Sequence, residues 1–481
     1  MKDNTMYEIE YSREPTTQAP IALSLGHTTL DANNLSGQPF ITGNYVSPQH
    51  ELPLPWPDGD WYLRQTFVPA VQPGETVICN TLIPGLLDYY RQTGILSDDI
   101  SVIEVEPSAS QYGFPHTDPL ENLGVEISDN ETGFLLSTFT GRQITRQAVE
   151  LGLSTVEQSP SEFSNNKARL REAATLYGFE LLPGTIIFSH SQLDEIYQAE
   201  WNTNHGTWLK TATGSGGDLV QHIPGRLTPL NFFSALSVLR EAVRLAFEAG
   251  GFSTTFDEYW PSGSLTPGGF PLVLEADARV LGEGAVNGST QFISHKDGTT
   301  EIIGHFQQTT TSDGEYLGNE PFPELSSEIR DLAVNQAKLV GHYNAQENGY
   351  FGISAIDWFM IDQPASQARL VVAELNSRPT ANTPPVIIAQ KMNAGHFINT
   401  NVYTGRPIRD IQDFVEIVGA ELAYGAADEA GLVVPQAFRT MVRRSEVLAS
   451  PNFKVAILGK DREHCQQIVA QLALKGIRLE P

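Results

Sequence analysis

The sequence predicts an α/β protein, with α+β character in its centre, and three observations carry that prediction. Residues 1–159 alternate short apolar strands with helices, the pattern of an open α/β unit built on a parallel sheet. Residues 160–403 contain apolar strands joined by tight turns, which read as antiparallel pairs, in two subdomains of about 160–275 and 276–403. Residues 404–481 end in a strand and a helix, a small C-terminal α/β appendage.

The bulk numbers agree with a folded enzyme-sized chain. Its 481 residues are 40% hydrophobic and 18% charged, enough to bury a sizeable core. The formal net charge of −27 argues against nucleic acid or an anionic membrane as partner, since both require a basic footprint. The two cysteines, Cys79 and Cys465, are too few for a disulfide framework or a thiolate zinc site and read as structural or free thiols. Met1 to Glu10 has no apolar signal core, and no apolar run reaches membrane-spanning length, so a cytoplasmic location is the expectation.

Taken in order, residues 1–75 are rich in Pro, Gly, Asn and Thr, including Leu52 to Pro57, and are expected to be irregular with short strands. Strands follow at Thr76–Asn80, Ile100–Val105 and Gly133–Phe139, with helices from Pro84 to Gly94 and from Arg142 to Leu151. No G-x-G-x-x-G follows the first strand, which excludes a dinucleotide fingerprint. Pro160 and Ser161 mark a boundary. Ser164 or Asn165 is placed to cap a helix over Asn166–Tyr177, stopped by Gly178. Strands are expected at Gly184–Phe188, Thr207–Lys210, Leu219–Ile223 and Phe270–Glu275, with a long helix over Leu230–Ala249. Gly288 to Gln308 reads as a hairpin turning at Lys296–Gly298, Glu324 to Asn344 as a helix, and Tyr350–Ile361 with Ala368–Leu375 as adjacent antiparallel strands. Ile411–Gly425 and the residues from Glu429 read as helical, Phe453–Gly459 as a strand and Arg462–Leu474 as a helix.

Chemistry concentrates in a few places. Glu374, Asn376 and Arg378 recur at a spacing of two after an apolar, β-branched run, so on a strand they share one face. Two oxygen ligands beside a guanidinium suit a hard cation and an anion bound to it; the other reading is a solvated edge strand. Asp357, on the neighbouring strand, can join Glu374 and Asn376. Gly214, Ser215, Gly216 and Gly217 form a loop whose backbone N–H groups can wrap phosphate oxygens, with Lys210 at its base; otherwise it is a plain turn. It is not a Walker A loop, in which the lysine follows the glycines. Lys167 is either a solvated lysine or a second phosphate ligand. Glu275 either ends a strand structurally or marks an adenine pocket, and Glu283 is a candidate for the ribose. Of the eleven histidines, His305 and His396 border these segments.

Together these segments resemble the ATP-grasp superfamily, from about Asn165 to Val402. Asn166-Lys167 with Gly178 to Gly184 looks like the family's first helix and loop. Trp208 to Lys210 with Gly214 to Gly217 looks like its phosphate-covering hairpin, and Leu272 to Glu275 like its hinge. Asp357, Glu374 and Asn376 match its Mg²⁺ ligands and Arg378 its phosphate- or acyl-phosphate-binding arginine. The flanking regions resemble the subfamily with a pre-ATP-grasp domain, which includes the peptide ligase of pheganomycin biosynthesis.

The resemblance implies ATP with Mg²⁺ (or Mn²⁺) as cofactors. It implies that a small-molecule carboxylate, an amino acid or peptide, is activated as an acyl phosphate and joined to an amine, with Arg378 and Lys210 as catalytic candidates. A homodimer is a family expectation. Three other readings stand beside it: loading an amino acid onto a carrier-protein thiol, an ATP-grasp kinase, and a nucleotide-binding module without turnover. An acidic surface disfavours an acidic carrier, and a hydroxyl kinase leaves Arg378 less well explained.

Overall fold

The computed structural model describes residues 165–479 except 213–219, 251–255, 268–270, 282–284, 296, 311–315, 323, 351, 362–368, 426–430 and 444–445. Before these it describes 39–42, 68–71, 76–80, 82–98, 100–105, 134–137 and 154–155. The predicted helix over Arg142–Leu151 and the Pro160 boundary lie outside the described residues.

The N-terminal strands β1 (Pro39–Thr42), β2 (Thr76–Asn80), β3 (Ser101–Val105), β4 (Phe134–Ser137) and β5 (Ser154–Thr155) pair in parallel in the order β3-β2-β1-β4-β5. This is the parallel sheet that the alternating pattern predicts. Helix α1 (Leu86–Gln92) buries Tyr89 and Tyr90. Their hydroxyls donate to the Ala423 and Pro435 carbonyls at 2.6 and 2.5 Å, which fastens this unit to the far end of the chain. A buried phenol needs such an acceptor.

Helix α2 (Lys167–Tyr177) begins where Asn166, in extended backbone, accepts from the Ala168 and Arg169 amides at 3.0 and 3.1 Å. Asn166 is therefore the cap, not Asn165, whose side chain instead accepts from the Ser377 amide at 2.8 Å. Gly178, at φ 79°, ends the helix as predicted. Strands β6 (Gly184–Ile187), β7 (Thr207–Thr211), β8 (Val220–Ile223) and β9 (Leu272–Ala276) form an antiparallel sheet in the order β6-β9-β7-β8. Between them in the chain come α3 (Leu193–Gln198) and α4 (Pro229–Gly250). Phe232, Leu236 and Leu239 of α4 bury the apolar side of that sheet with Trp260, Leu209 and Leu274.

The remaining strands build one large, mostly antiparallel sheet. They are β10 (Val286–Ser294), β11 (Thr300–Thr310), β12 (Tyr316–Pro321), β13 (Gly352–Ile361), β14 (Arg369–Asn376), β15 (His396–Tyr403), β16 (Leu432–Arg443), β17 (Glu446–Gly459) and β18 (Arg478–Leu479). The order is β14-β13-β10-β11-β12-β15-β17-β16, with β18 also on β15. Helix α5 (Ser327–Glu347) covers one face, where Ala333, Val340, Phe292, Ile356, Trp358 and Val372 form a core. The predicted hairpins at 288–308 and 350–375 are both present.

Helix α6 (Thr383–Lys391) opens on Thr-Pro-Pro, which does not advertise a helix. Its two prolines sit at the first helical positions, where no N–H is needed. The predicted Ile411–Gly425 helix is divided: α7 (Ile411–Val418) stops at Gly419, φ 97°, before a short turn over Ala420–Ala423. The helix expected from Glu429 is instead strand β16. Gly431, at φ 78°, redirects the chain, and the β-branched pair Val433-Val434 enters an antiparallel ladder with β17. The C-terminal helix is α8 (Arg462–Leu474), as predicted. The predicted appendage shares its sheet with the preceding region, because β17 pairs along the whole of β15. By contrast, β12 meets β15 at Gly318 with Thr400 and Asn319 with Asn399. A Cβ on Gly318 would lie 2.1 Å from the Asn399 carbonyl oxygen, so that junction requires glycine.

Candidate functional site

Partners across antiparallel strands share a face. The β13–β14 register pairs Asp357 with Glu374 and Ala355 with Asn376, after a bulge that releases Ala373. Asp357, Glu374 and Asn376 therefore emerge together, on the face opposite Trp358 and helix α5. The Asn376 amide donates to Asp357 at 3.0 Å, and Gln308 of β11 donates to the other Asp357 oxygen at 2.9 Å. Arg378 lies just beyond the strand end, yet its guanidinium reaches the Asn376 oxygen at 2.7 Å. The predicted four-residue set is thus assembled, with Arg378 joined through Asn376.

Lys167, in the first turn of α2, pairs with Glu374 at 2.9 Å. Its backbone amide donates to the Ala212 carbonyl at 2.7 Å, so α2 is anchored to the end of β7. That strand carries Lys210, whose ammonium group pairs with Glu275 at 2.6 Å. Arg171 holds the other Glu275 oxygen at 3.0 Å, and Glu275 itself is buried. The connection from α2 to β6 is tied to the larger sheet: the Val372 amide donates to the Glu180 carbonyl at 2.7 Å, and Leu181 bridges Val372. Gly214, Ser215, Gly216, Gly217 and Glu283 lie outside the described residues.

The two facing carboxylates are held in different states. Burial, and then the Glu374 charge, push Asp357 up to about 6. Burial alone would raise Glu374 as well, but Lys167, with Lys210 and Arg378, outweighs it and holds that carboxyl below its ordinary value. Among the described residues no group of three or more His, Cys, Asp or Glu side chains forms a self-sufficient metal cluster. The set does fit a hard divalent cation shared with another anion. It offers oxygen donors, and the repulsion that raises Asp357 is what a cation between the carboxylates would relieve.

The singled-out histidines lie elsewhere. His305 sits on the α5 side of the sheet, 2.9 Å from the Thr290 hydroxyl, which accepts from the Trp358 indole N–H at 2.8 Å. Burial lowers His305 to about 4, so it is neutral at pH 7 and structural. His396 lies 3.1 Å from Glu320, which Arg462 also grips at 2.9 and 3.0 Å. Burial opposes ionisation of Glu320, but hydrogen bonds from His396 and Arg462 hold its carboxyl down at about 2. A carboxyl lowered by folding contributes stability above its unfolded value, and that contribution fades as pH falls towards its folded value. Arg462→Met is accordingly expected to lower the melting temperature at pH 7. Its deficit relative to the unaltered protein should narrow between about pH 4.5 and about 2; a deficit that does not change with pH would count against the ion pair. Cys465 is a buried free thiol, pushed up to about 12 by burial.

Sequence reasoning missed the rest of this polar face. Asn319 and Asn399 are partners in register, and both side-chain amides donate to the Tyr316 hydroxyl. Asn399 also donates to the Ala381 carbonyl at 3.1 Å, and Gln291 donates to Thr380 at 2.7 Å. The segment after Arg378 therefore crosses the face from β10 to β15. The available signal is the alternation in Phe397-Ile-Asn-Thr-Asn-Val402, where amides occupy every second position.

No family model and no curated protein matches the sequence. Solved structures do match in shape. The Hydrogenobacter thermophilus 2-oxoglutarate carboxylase biotin carboxylase domain dimer, in complex with MgADP, ADP and bicarbonate, is 13% identical with a TM-score of 0.55. The match covers 93% of this chain and 91% of that one. Biotin carboxylase from Campylobacter jejuni is 12% identical with a TM-score of 0.52, covering 93% of each chain. The N5-carboxyaminoimidazole ribonucleotide synthetase from Thermus thermophilus is 13% identical with a TM-score of 0.51, covering 91% of this chain and 98% of that one. These are ATP-grasp proteins, and the chain has their fold. Among the described residues no helix is long and apolar enough to cross a membrane.

Proposed function

We propose that this protein is an ATP-dependent ligase that activates a carboxylate as an acyl phosphate and transfers the acyl group to an amine, releasing ADP and phosphate. The observation that carries the reading is the meeting of Asp357, Glu374, Asn376 and Arg378 with Lys167 at one point, with Lys210 nearby on the smaller sheet. The shared fold with a domain described in complex with MgADP and bicarbonate supports it. Membership of the subfamily that includes the pheganomycin peptide ligase, a homodimeric state and a cytoplasmic location belong to the same proposal.

Asp357, Glu374 and Asn376 would hold Mg²⁺, which supplies charge neutralisation and alignment for in-line phosphoryl transfer. Each other role falls to a named side chain. A triphosphate and a substrate carboxylate repel one another, and Lys167, Lys210 and Arg378 oppose that repulsion. Lys167 and Lys210 are paired with Glu374 and Glu275, so both are pre-positioned and their partners give way when phosphate arrives. Arg378 is placed to hold the transferred phosphoryl group or the acyl oxygen on which charge grows as the amine attacks. Gly214 to Gly217 are proposed to wrap the phosphates and limit hydrolysis, and Glu275 and Glu283 to line the nucleoside side.

The test is incubation with ATP, Mg²⁺ and a panel of amino acids, with and without hydroxylamine. ADP, phosphate and an amino-acid hydroxamate are expected. AMP and pyrophosphate would overturn the mechanism, and ADP with a phosphorylated hydroxyl but no hydroxamate would make the protein a kinase.

A further inference from the structure

The polar face that carries Asp357 and Glu374 does not end there. Register carries it across the sheet: Gln308 partners Asn319, Asn319 partners Asn399, and two residues along β15, Asn401 partners Lys454 of β17. The Gln308 bond to Asp357 and the Asn399 bond to the Ala381 carbonyl join this strip to the site and to the segment after Arg378.

Lys454 is only 5% exposed, and among the described residues no carboxylate opposes its ammonium group. Burial lowers its pKa to about 8, and no neighbouring charge contributes to the shift. A buried cation without a counter-charge is costly and persists where something supplies the charge. Other polar atoms on this part of the sheet lack hydrogen-bond partners. The Asn399 and Asn319 side-chain oxygens are buried without a donor, and both polar atoms of the Gln436 amide lack partners. The Asn399 orientation is fixed, because its nitrogen is committed to a backbone carbonyl. Gln436 is the extra residue of the bulge opposite Lys454.

We propose that Lys454 is the receptor for an anionic oxygen group, a carboxylate or a phosphate, of the organic substrate. Asn399, Asn319 and Gln436 offer hydrogen bonds to polar groups beside it. This rests on the ligase reading for the other end of the same face, where Arg378 and the carboxylate pair handle the reacting group. The substrate class is accordingly a molecule bearing a second anion, such as a dicarboxylic acid, a peptide terminus or a phosphorylated amine.

The test compares thermal melting of the full chain with Lys454→Met and Lys454→Gln in sodium chloride, sodium glutarate and sodium phosphate at equal ionic strength. The unaltered protein should melt higher in glutarate or phosphate than in chloride, and the larger shift identifies the group. Both variants should lose that shift and should melt no lower than the unaltered protein in chloride, since an uncompensated buried charge is gone. An anion shift that survives in both variants, or is absent from the unaltered protein, overturns the proposal. So does melting of both variants well below the unaltered protein in chloride, which would make Lys454 structural. Melting with MgADP is read in parallel. Loss of that shift in the unaltered protein would count against the ligase reading alone.

Discussion

Glu374→Gln is expected to abolish Mg²⁺-dependent ADP formation while leaving the fold in place. The substitution keeps an oxygen that can accept from Lys167, 2.9 Å away, so the contact between α2 and β14 survives as an ordinary hydrogen bond. It removes the charge. That charge is the better poised of the pair, because the cations around Glu374 hold it ionised while Asp357 is pushed up to about 6. A cation site left with Asp357 and two neutral amides loses most of its attraction for a divalent ion, and losses of about 10³-fold or more in turnover are expected. Circular dichroism and melting should be near those of the unaltered protein. Undiminished ADP formation would remove Glu374 from the metal site.

Arg378→Met should produce the second largest loss. A single fixed donor aimed at developing charge is worth about 3–4 kcal/mol, or roughly 10²–10³ in kcat. Arg378 is half of a pair with Asn376, at 2.7 Å, so removing it also releases an amide. Arg378→Lys separates the two effects: it keeps the charge and discards the planar fork. If Arg378 acts on the acyl phosphate, Arg378→Met should lower kcat with hydroxylamine as well as with amines, while MgADP binding changes little. A rise in KM for ATP at constant kcat would instead assign Arg378 to ground-state nucleotide binding.

The strand hairpin that carries the site is legible in the sequence because its signals are local. Glu374 and Asn376 at a spacing of two, after Val371 and Val372, specify both a strand and a face, and a short connection to Ile353–Ile361 makes that strand a neighbour and brings Asp357 beside Glu374. The spacing puts Arg378 on the same strand, but the strand ends at Asn376, and a side-chain bond rather than β geometry brings the arginine back. The partners of Lys167 and Lys210 are not legible, because Glu374 and Glu275 lie far along the chain and only the packing of two sheets brings them near. Strand β16 reads as a helix because Gln436-Ala-Phe-Arg439 suits either state, and the antiparallel ladder with the following strand, β17, decides it. Tyr316 to Pro321 has no β-branched run to advertise a strand, yet it supplies Asn319 and lies between β11 and β15.

The junction between β15 and its neighbours bears on how such a chain can be rearranged. On one side β15 is zipped to β17 along its whole length; on the other it touches β12 at Gly318 and Asn319 and β18 at Arg478 and Leu479. A fragment ending near Tyr403 would keep the weaker attachment, to β12, and present the other edge of β15 bare, which is a template for pairing with a second chain. The residues after 403 are therefore not a cassette that can be traded between relatives while the catalytic half stays behind. Recombination that respects this sheet has to inherit β15, β16 and β17 as one block.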